Sequence, residues 1–241
     1  MLSLDPSWSI GGKPHGGYVL ARIVEQVLTP DHPHPLAVSA QYARSPDASR
    51  PVEVVVERTR TGRRIATTRA RLSQDGDACV DVLVSAGTLA RGDVRWTDGD
   101  TGPVLAPVEQ CLAAEADRGG SGRVGHLEHV DLRLDLSSYD VPGATVRAWL
   151  QRADAAPAGV LDLLVFADAL PPVTFGLGMT GWAPTVELTV LLRSLPEPGW
   201  IRAVQRAHLL HDGWLDEDCE LWDGAGRLVV QARQLAGYRE A

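Results

Sequence analysis

The sequence of 241 residues predicts an α+β protein in which two copies of one unit each fold an antiparallel sheet around a central helix. Several segments alternate apolar and polar side chains, which is the period of a half-buried strand. One further segment is apolar at helical spacing and another is apolar all round, and both are predicted to be helices. The motif Pro-x8-Arg-Ser occurs at Pro35 and again at Pro184, 149 residues later. A unit of this length is too long for a solenoid repeat, so we expect two copies of one small domain.

Alternation and glycine turns predict the strands of both copies. In the second copy, Val186, Leu188 and Val190 share one face of a strand, and Asp212-Gly213 forms a tight turn between two later strands. The predicted strands lie near 36–44, 52–60, 64–73 and 78–86 and, as an antiparallel meander in the same order, at 185–193, 200–210, 214–222 and 227–236. Two more strands are expected at 129–136 and 144–151.

Each copy also contains one predicted central helix. Residues 18–28 are apolar at helical spacing and end before Pro30. Residues 160–170 are apolar all round, as expected for a helix enclosed by a sheet, and Pro171-Pro172 ends them. A short third helix is predicted over 108–116. A sheet curled around one hydrophobic helix is the hotdog fold, so the sequence predicts a double hotdog. Its parts are an N-terminal hotdog at 1–90, a connector at 91–122 and a C-terminal hotdog at 123–241.

Composition and charge limit the classes of partner. The net charge of −8 provides no basic excess to neutralise phosphates, so nucleic acid is not an expected partner. Three cysteines without metal spacing, the lack of a signal peptide and the lack of an apolar run of about 18 residues indicate a cytoplasmic protein without a membrane span. Residues 176–181 match GxGxxG but precede a strand instead of a helix, so no dinucleotide is expected. No cofactor and no metal ion are predicted.

Several short motifs occur along the chain in an order typical of one family. They are Trp8 with His15–Tyr18, Gly62–Arg64, Asp168–Pro172, Gly181–Thr185 with Leu188-Thr189, and Gln234–Ala236. Over nearly its whole length the sequence resembles acyl-CoA thioesterases of the TesB-like, double-hotdog type. The resemblance implies an enzyme of fatty acid metabolism that hydrolyses acyl-CoA-type thioesters to a free acid and a thiol. It also implies a small-molecule substrate and, because hotdog sheets often pair by their edges, a possible homo-oligomer.

Two polar residues stand out in apolar surroundings. Asp168 lies in the apolar segment 160–170, where burial of a carboxylate is costly and raises its pKa, as is common for a functional acid or base. Gln234 shares the apolar phase of the last strand, so its amide needs partners inside the protein. The alternatives are an Asp at a solvent-facing helix end and a Gln that reaches solvent at a strand end. The resemblance implies that Asp168 polarises a water and that Gln234 orients it.

Thr185 is the third catalytic candidate, because the resemblance places a hydroxyl there beside the carboxylate and the water. The alternation of its strand puts Thr185 opposite the apolar phase, and an ordinary β-branched strand residue is the alternative.

The segment His15-Gly16-Gly17-Tyr18 is predicted to bind substrate. It begins a helix, whose first N–H groups have no partner inside the helix, and glycines let a carbonyl approach them closely. We expect the Gly17 and Tyr18 amides to form an oxyanion hole. His15 either orients the ligand or caps the helix.

Some alternatives stay open from the sequence. Arg58, Arg60, Arg63 and Arg64 either meet the phosphates of coenzyme A or form a solvated sheet edge. A hotdog protein that binds an acyl or aromatic ligand without hydrolysing it is the second functional hypothesis. A dehydratase is a weaker third, since it requires a His paired with a carboxylate on the helix and 160–170 contains no His. Copy one has Leu36 where copy two has Thr185, so we expect one site per chain that joins Gly17 to Asp168.

Overall fold

The computed structural model describes residues 1–90, 94–117, 123–138, 144–179, 181 and 183–238, and contains two α-helices, one large antiparallel sheet and a separate pair of short strands, β1 and β2. The first half contains β1 Ser9–Ile10, β2 Lys13–Pro14, α1 Gly16–Glu25, β3 His34–Tyr42, β4 Glu53–Thr61, β5 Ala66–Gln74 and β6 Asp77–Gly87. The second half contains β7 Leu112–Ala113, β8 Val130–Leu134, β9 Thr145–Arg152, α2 Val160–Phe166, β10 Thr185–Leu192, β11 Ile201–Arg206, β12 Leu210–His211, β13 Trp214–Trp222 and β14 Leu228–Gly237.

One continuous sheet replaces the two that the sequence predicts. Its order is β4-β5-β6-β3-β10-β14-β13-β11-β9-β8-β7, with β12 beside β13, which gives twelve strands. The two halves join edge to edge where β3 pairs with β10 in antiparallel orientation. Each of these strands pairs on one side only within its own half, so its other edge is free to pair across the junction.

The pairing of β3 with β10 is symmetric with respect to the two copies of the repeat. Ser39 lies opposite Thr189, and Ala40 lies opposite Leu188. With the 149-residue offset, Ser39 corresponds to Leu188 and Ala40 to Thr189 (39 + 149 = 188, 40 + 149 = 189). Exchanging the two halves therefore maps one pair onto the other, and a local two-fold axis passes between them.

The predicted meander holds for three strands of each half and is wrong for the first. The strands β4-β5-β6 and β11-β13-β14 are neighbours in that order, but β3 lies beside β6 and β10 lies beside β14. Alternation fixes which faces of a strand are buried and does not specify its partner. Consecutive strands are neighbours only about two-thirds of the time.

The two helices lie in the core and contact each other. On α1 the fully buried side chains include Leu20 and Ile23, and on α2 they include Leu164 and Phe166. Gly17 makes the contact possible, because a Cβ there would lie 2.9 Å from the carbonyl oxygen of Leu164. The hydrophobic core is continuous across both halves. The division at 1–90, 91–122 and 123–241 stays a prediction, and residues 91–93 and 118–122 of the connector lie outside the described part.

Two predicted helices differ from the structure. The predicted helix 108–116 is wrong: Val108–Gln110 is a single 3-10 turn, and Leu112–Ala113 pairs with β8, which satisfies its backbone groups in a sheet. The predicted helix 160–170 ends at Phe166, ahead of the two prolines. Among the described residues, no helix combines the length and the apolar character needed to cross a membrane.

Candidate active site

A cavity of about 960 Å³ is lined by residues of both halves. Its apolar lining includes Val19, Val80, Leu127, Leu132, Leu170 and Phe175. Its polar lining includes His15, Tyr42, Asp168, Thr185, Glu217 and Gln234. Apolar walls with a few polar groups are typical of a site for a small molecule that has an apolar part and one reactive polar group. All three predicted catalytic residues line this cavity.

Asp168 lies just beyond the C-terminal end of α2. Its amide donates to the Val165 carbonyl at 3.1 Å, so the chain makes one more turn and directs the side chain towards α1. The Oδ2 atom accepts a hydrogen bond from the Gly17 amide at 2.6 Å, and only 11% of the side chain is exposed. Burial raises the pKa of the Asp168 carboxyl, while His15 and the Gly17 amide act in the opposite direction. A carboxylate with a raised pKa is suited to accept a proton.

His15 caps α1 and supports Asp168. Its Nδ1 atom accepts a hydrogen bond from the Tyr18 amide at 3.2 Å, which places the ring proton on Nε2. That Nε2–H donates to the backbone carbonyl of Asp168 at 2.9 Å, and Nε2 lies 3.6 Å from the Asp168 Oδ2. With 3% of the residue exposed, His15 fixes the turn that carries Asp168.

A β-bulge resolves the phase problem at Thr185. Thr185 lies opposite Ala236 on β14, but Glu187 lies opposite Leu235, so Val186 is an extra residue. A bulge bends the strand and redirects its side chains. As a result Thr185 lines the cavity, and its hydroxyl lies 2.8 Å from the Gln234 Oε1.

Gln234 is held by Glu217, which the sequence analysis missed. Its Nε2 donates to Glu217 Oε2, and the other Glu217 oxygen accepts from the Val173 amide at 2.8 Å. Glu217 is 2% exposed. Burial raises the pKa of its carboxyl, and hydrogen bonds from Val173, Gln234 and Gln205 oppose that shift. The signal was present in the sequence, because Glu217 shares the buried phase of β13 with Leu215, Cys219 and Leu221.

The two amides of the predicted oxyanion hole already have hydrogen-bond partners within the protein. The Gly17 amide is used by Asp168, and the Tyr18 amide is used by His15. Neither Gly17 nor Tyr18 is among the described residues that line the cavity, whereas Gly16 is. Tyr18 instead has a structural role: its ring stacks on Trp8 with centroids 4.8 Å apart, and it is 8% exposed. Of α1, the described structure places Gly16 and Val19 on the cavity, so Gly16 is the only residue of the Gly16-Gly17-Tyr18 segment that lines it.

Tyr42 is a second cavity residue that the sequence analysis missed. It ends β3, and its hydroxyl donates to the Gly16 carbonyl at 3.1 Å. Burial, followed by the charges of Asp168 and Glu187, raises the pKa of the Tyr42 hydroxyl well above its ordinary value, so the side chain stays neutral. The four arginines near Gly62 do not line the cavity in the described structure. Two of them lie on β4, the strand at one edge of the sheet.

Comparison with known proteins identifies the fold and the family. A protein of unknown function with a hot dog fold from Alicyclobacillus acidocaldarius superimposes with a TM-score of 0.85 at 20% identity, covering 98% of this chain and 91% of that chain. A candidate thioesterase II from Thermobifida fusca gives a TM-score of 0.88 at 29% identity, covering 99% of this chain and 91% of that chain. Uncharacterised proteins of Mycobacterium tuberculosis and Mycobacterium bovis are 34% identical over 97% of this chain and 88% of their length.

The protein is thus of the hotdog class, with a polar site at one part of an apolar cavity. The model of the acyl-CoA thioesterase N-terminal domain matches residues 4–87, and that of the acyl-CoA thioesterase C-terminal domain matches residues 108–238. The chain belongs to the acyl-CoA thioesterase family, as its resemblance predicts, and it is a thioester hydrolase by class.

Proposed function

We propose that the protein hydrolyses an acyl-CoA-type thioester to a free acid and a thiol, with Asp168 as the general base and Thr185 and Gln234 as the groups that orient the water. The observation that supports this most is that the three side chains line one apolar cavity. They come from three separate elements, so their meeting is a property of the fold and not of one local motif. The apolar lining suits an acyl group, and the polar residues suit its thioester carbonyl.

Hydrogen-bond directions favour an attacking water at this site. A water that acts as nucleophile donates its two protons to acceptors and directs a lone pair at the carbonyl carbon. Asp168 is one acceptor. The Thr185 hydroxyl donates its only proton to Gln234, so towards the cavity it offers lone pairs and is the second acceptor. Attack forms the new C–O bond, Asp168 takes the proton, and the C–S bond then breaks as the proton passes to the leaving thiolate.

The carbonyl oxygen acquires negative charge during this attack. Gly16 is the first residue of α1 and lines the cavity, and the first amide of a helix has no partner inside the helix. The positive end of the helix dipole lies at the same point. Gly16 N–H therefore replaces the Gly17 and Tyr18 amides as the proposed oxyanion donor.

Dehydration of a 3-hydroxyacyl thioester is a second candidate, favoured by one observation. The sequence offers no His on α2, but the fold brings His15 of the other half to 3.6 Å from Asp168. Both ring nitrogens of His15 already bond within the protein, to the Tyr18 amide and the Asp168 carbonyl. Hydrolysis requires neither nitrogen, so it remains the favoured function.

One experiment separates these hypotheses. Purified protein is incubated with a panel of acyl-CoAs of increasing chain length, and free thiol is followed with a thiol reagent. Absorbance of the enoyl thioester is followed in parallel with 3-hydroxyacyl-CoA. Release of thiol supports hydrolysis, and enoyl formation without thiol supports dehydration. Saturable binding of a non-hydrolysable thioester with neither product indicates the ligand-binding alternative.

A further inference from the structure

Glu217 is a buried carboxylate that none of the proposed catalytic steps uses directly. It lies in the middle of β13, 2% exposed, at the edge of the cavity. Its Oε1 accepts from the Val173 amide at 2.8 Å, its Oε2 accepts from Gln234, and Gln205 supplies a further side-chain hydrogen bond. A carboxylate surrounded by donors acts only as an acceptor. Burial without these donors is costly, so the whole arrangement depends on them.

These contacts fix the direction of a chain of hydrogen bonds. The Val173 amide can only donate, so the facing Glu217 oxygen accepts. The second Glu217 oxygen also accepts, which requires Gln234 to turn its Nε2 towards Glu217 and its Oε1 towards Thr185. The Thr185 hydroxyl then has one choice, to donate to that Oε1. An isolated Gln amide can adopt either orientation, so the buried carboxylate selects one of two states.

We propose that Glu217 is a positioning residue that sets the direction of this chain and thereby makes Thr185 an acceptor for the attacking water. This role rests on the proposed hydrolysis. Glu217 does not touch the substrate in this scheme, and it acts through Gln234 and Thr185. Reversal of the chain turns the Thr185 proton into the cavity, where it points at the water oxygen and occupies the lone pair needed for attack.

Glu217→Gln tests the direction with almost no change of shape. The new amide at position 217 must keep its oxygen towards Val173, so its NH2 faces Gln234. Gln234 then turns its oxygen towards position 217 and its NH2 towards Thr185, which reverses the chain. We expect kcat to fall by about 100-fold, the size of effect seen when reacting groups are displaced slightly. KM should change by less than about 3-fold, because acyl binding is left intact.

An exchange of the two side chains restores the direction. In the double variant Glu217→Gln with Gln234→Glu, the amide at position 217 accepts from Val173 and donates to the carboxylate at position 234. That carboxylate also accepts from Thr185, and the charge and the volume of the cluster are those of the wild type. We expect the double variant to recover kcat by about 10-fold over Glu217→Gln, since Thr185 is an acceptor again. Gln234→Glu alone places two carboxylates against each other and should remain slow.

Further variants distinguish an effect of the hydrogen-bond direction from an effect of side-chain packing. Glu220→Gln makes the same chemical change on the opposite face of β13, where Glu220 lies near Arg206 outside the cavity, and should keep wild-type kcat. In a Thr185→Val background, Glu217→Gln should cost less than about 2-fold in kcat, because there is no hydroxyl to turn. Thermal melts of all variants report folding. If Glu217→Gln does not fold, the side-chain exchange is compared with Gln234→Glu instead, and an exchange variant that is no faster than Gln234→Glu overturns the role of Glu217.

The outcomes are distinct. A wild-type protein that hydrolyses no acyl-CoA overturns the proposed function and this role with it. If the wild type is active, three results overturn the role of Glu217 alone: wild-type kcat in Glu217→Gln, an exchange variant as slow as Glu217→Gln, or a full cost of Glu217→Gln in the Thr185→Val background. The role is supported if kcat falls in Glu217→Gln, recovers in the exchange variant, and is unaffected by Glu217→Gln in the Thr185→Val background.

Discussion

The two copies of the repeat have similar backbones but differ in the residue at the start of the strand that pairs with the other half, β3 in one and β10 in the other. In the second half, the bulge between Thr185 and Glu187 directs a hydroxyl into the cavity. In the first half the register shifts one residue earlier, between Pro35 and Ala37, and the residue that corresponds to Thr185 is Leu36. The Leu36 side chain packs closely on Gly87, where a Cβ would lie 2.9 Å from its Cδ1. Both halves have a β-bulge near the start of this strand, but only the second half has a hydroxyl side chain there.

The first residues of the two helices also differ, and here it is the first half that contributes to the cavity. In the first half, α1 begins with His15 as its cap and with two glycines against Asp168. In the second half, α2 begins after Gly159, and its Asp162 caps its own backbone. One half therefore supplies the helix start and the other supplies the carboxylate. The cavity is therefore lined by groups that neither half supplies alone, and the proposed site uses both halves.

The largest expected effect tests this division of roles. Asp168→Asn removes the proposed base and keeps its shape, so we expect kcat to fall by about 1,000-fold, within the range for general-base catalysis. Thiol release from the best acyl-CoA measures it. Asp131→Asn on β8, outside the cavity, is the matched control and should keep activity. Wild-type turnover by the Asp168→Asn variant would remove Asp168 from the mechanism.

The number of binding sites per chain also tests whether the two halves have different roles. A non-hydrolysable acyl thioester should bind with a stoichiometry of one per chain in calorimetry, since the half with Leu36 lacks the polar set. Asp168→Asn should leave this stoichiometry unchanged. Two equivalent sites per chain, in either protein, would contradict the view that the halves have different roles.

Replacing the glycine at each helix start by alanine should lower the free energy of unfolding by different amounts. At Gly17 a Cβ would lie 2.9 Å from both the Leu164 carbonyl oxygen and the Asp168 Cβ, so backbone must move. We expect Gly17→Ala to lower the free energy of unfolding by about 1–3 kcal/mol and to displace Asp168. Gly159→Ala meets only the Asp162 Oδ2 at 3.6 Å and should cost about 1 kcal/mol or less. Equal costs in denaturant titrations would show that close helix packing is not what distinguishes the two starts.

The pH dependence of stability tests the burial of Asp168. Burial raises its pKa in the folded protein, so the protonated form is favoured on folding. The associated stability is fully present below the unfolded pKa near 3.8 and is lost as the pH rises through the folded pKa. The Asp168→Asn variant has no such loss, so its Tm relative to wild type should increase from pH 4 to pH 7. A constant difference in Tm over this range would mean that burial leaves this pKa unshifted.

Local patterns predicted much of this fold, including the pairings of β4-β5-β6 and β11-β13-β14, but they did not predict the partners of β3 and β10. The strands near 185–193 and 214–222 and the pseudo-repeat follow from alternation and spacing, which are local properties. The joining of β3 to β10 is a long-range choice between free edges, and no single-strand pattern specifies it. Thr185 was hard to place because a bulge changes the phase that alternation assumes. Glu217 was missed although its phase marks it as buried, because its role depends on Gln234 and Val173, which are distant in the sequence.

The smallest expected effect comes from making the first half more like the second. Leu36→Thr places a hydroxyl at the site of Thr185, but the first half supplies neither a counterpart of Asp168 nor one of Gln234, for which Ser85 stands in the aligned position. We expect the same kcat, one bound thioester per chain, and a loss of about 1–3 kcal/mol in the free energy of unfolding from the weaker packing on Gly87. Thr185→Leu, the reverse exchange, should lower kcat strongly with a similar cost in stability. A second binding site or a gain in activity in Leu36→Thr would contradict this view. It would mean that the single difference between Leu36 and Thr185 is enough to explain why only the second half carries the polar site.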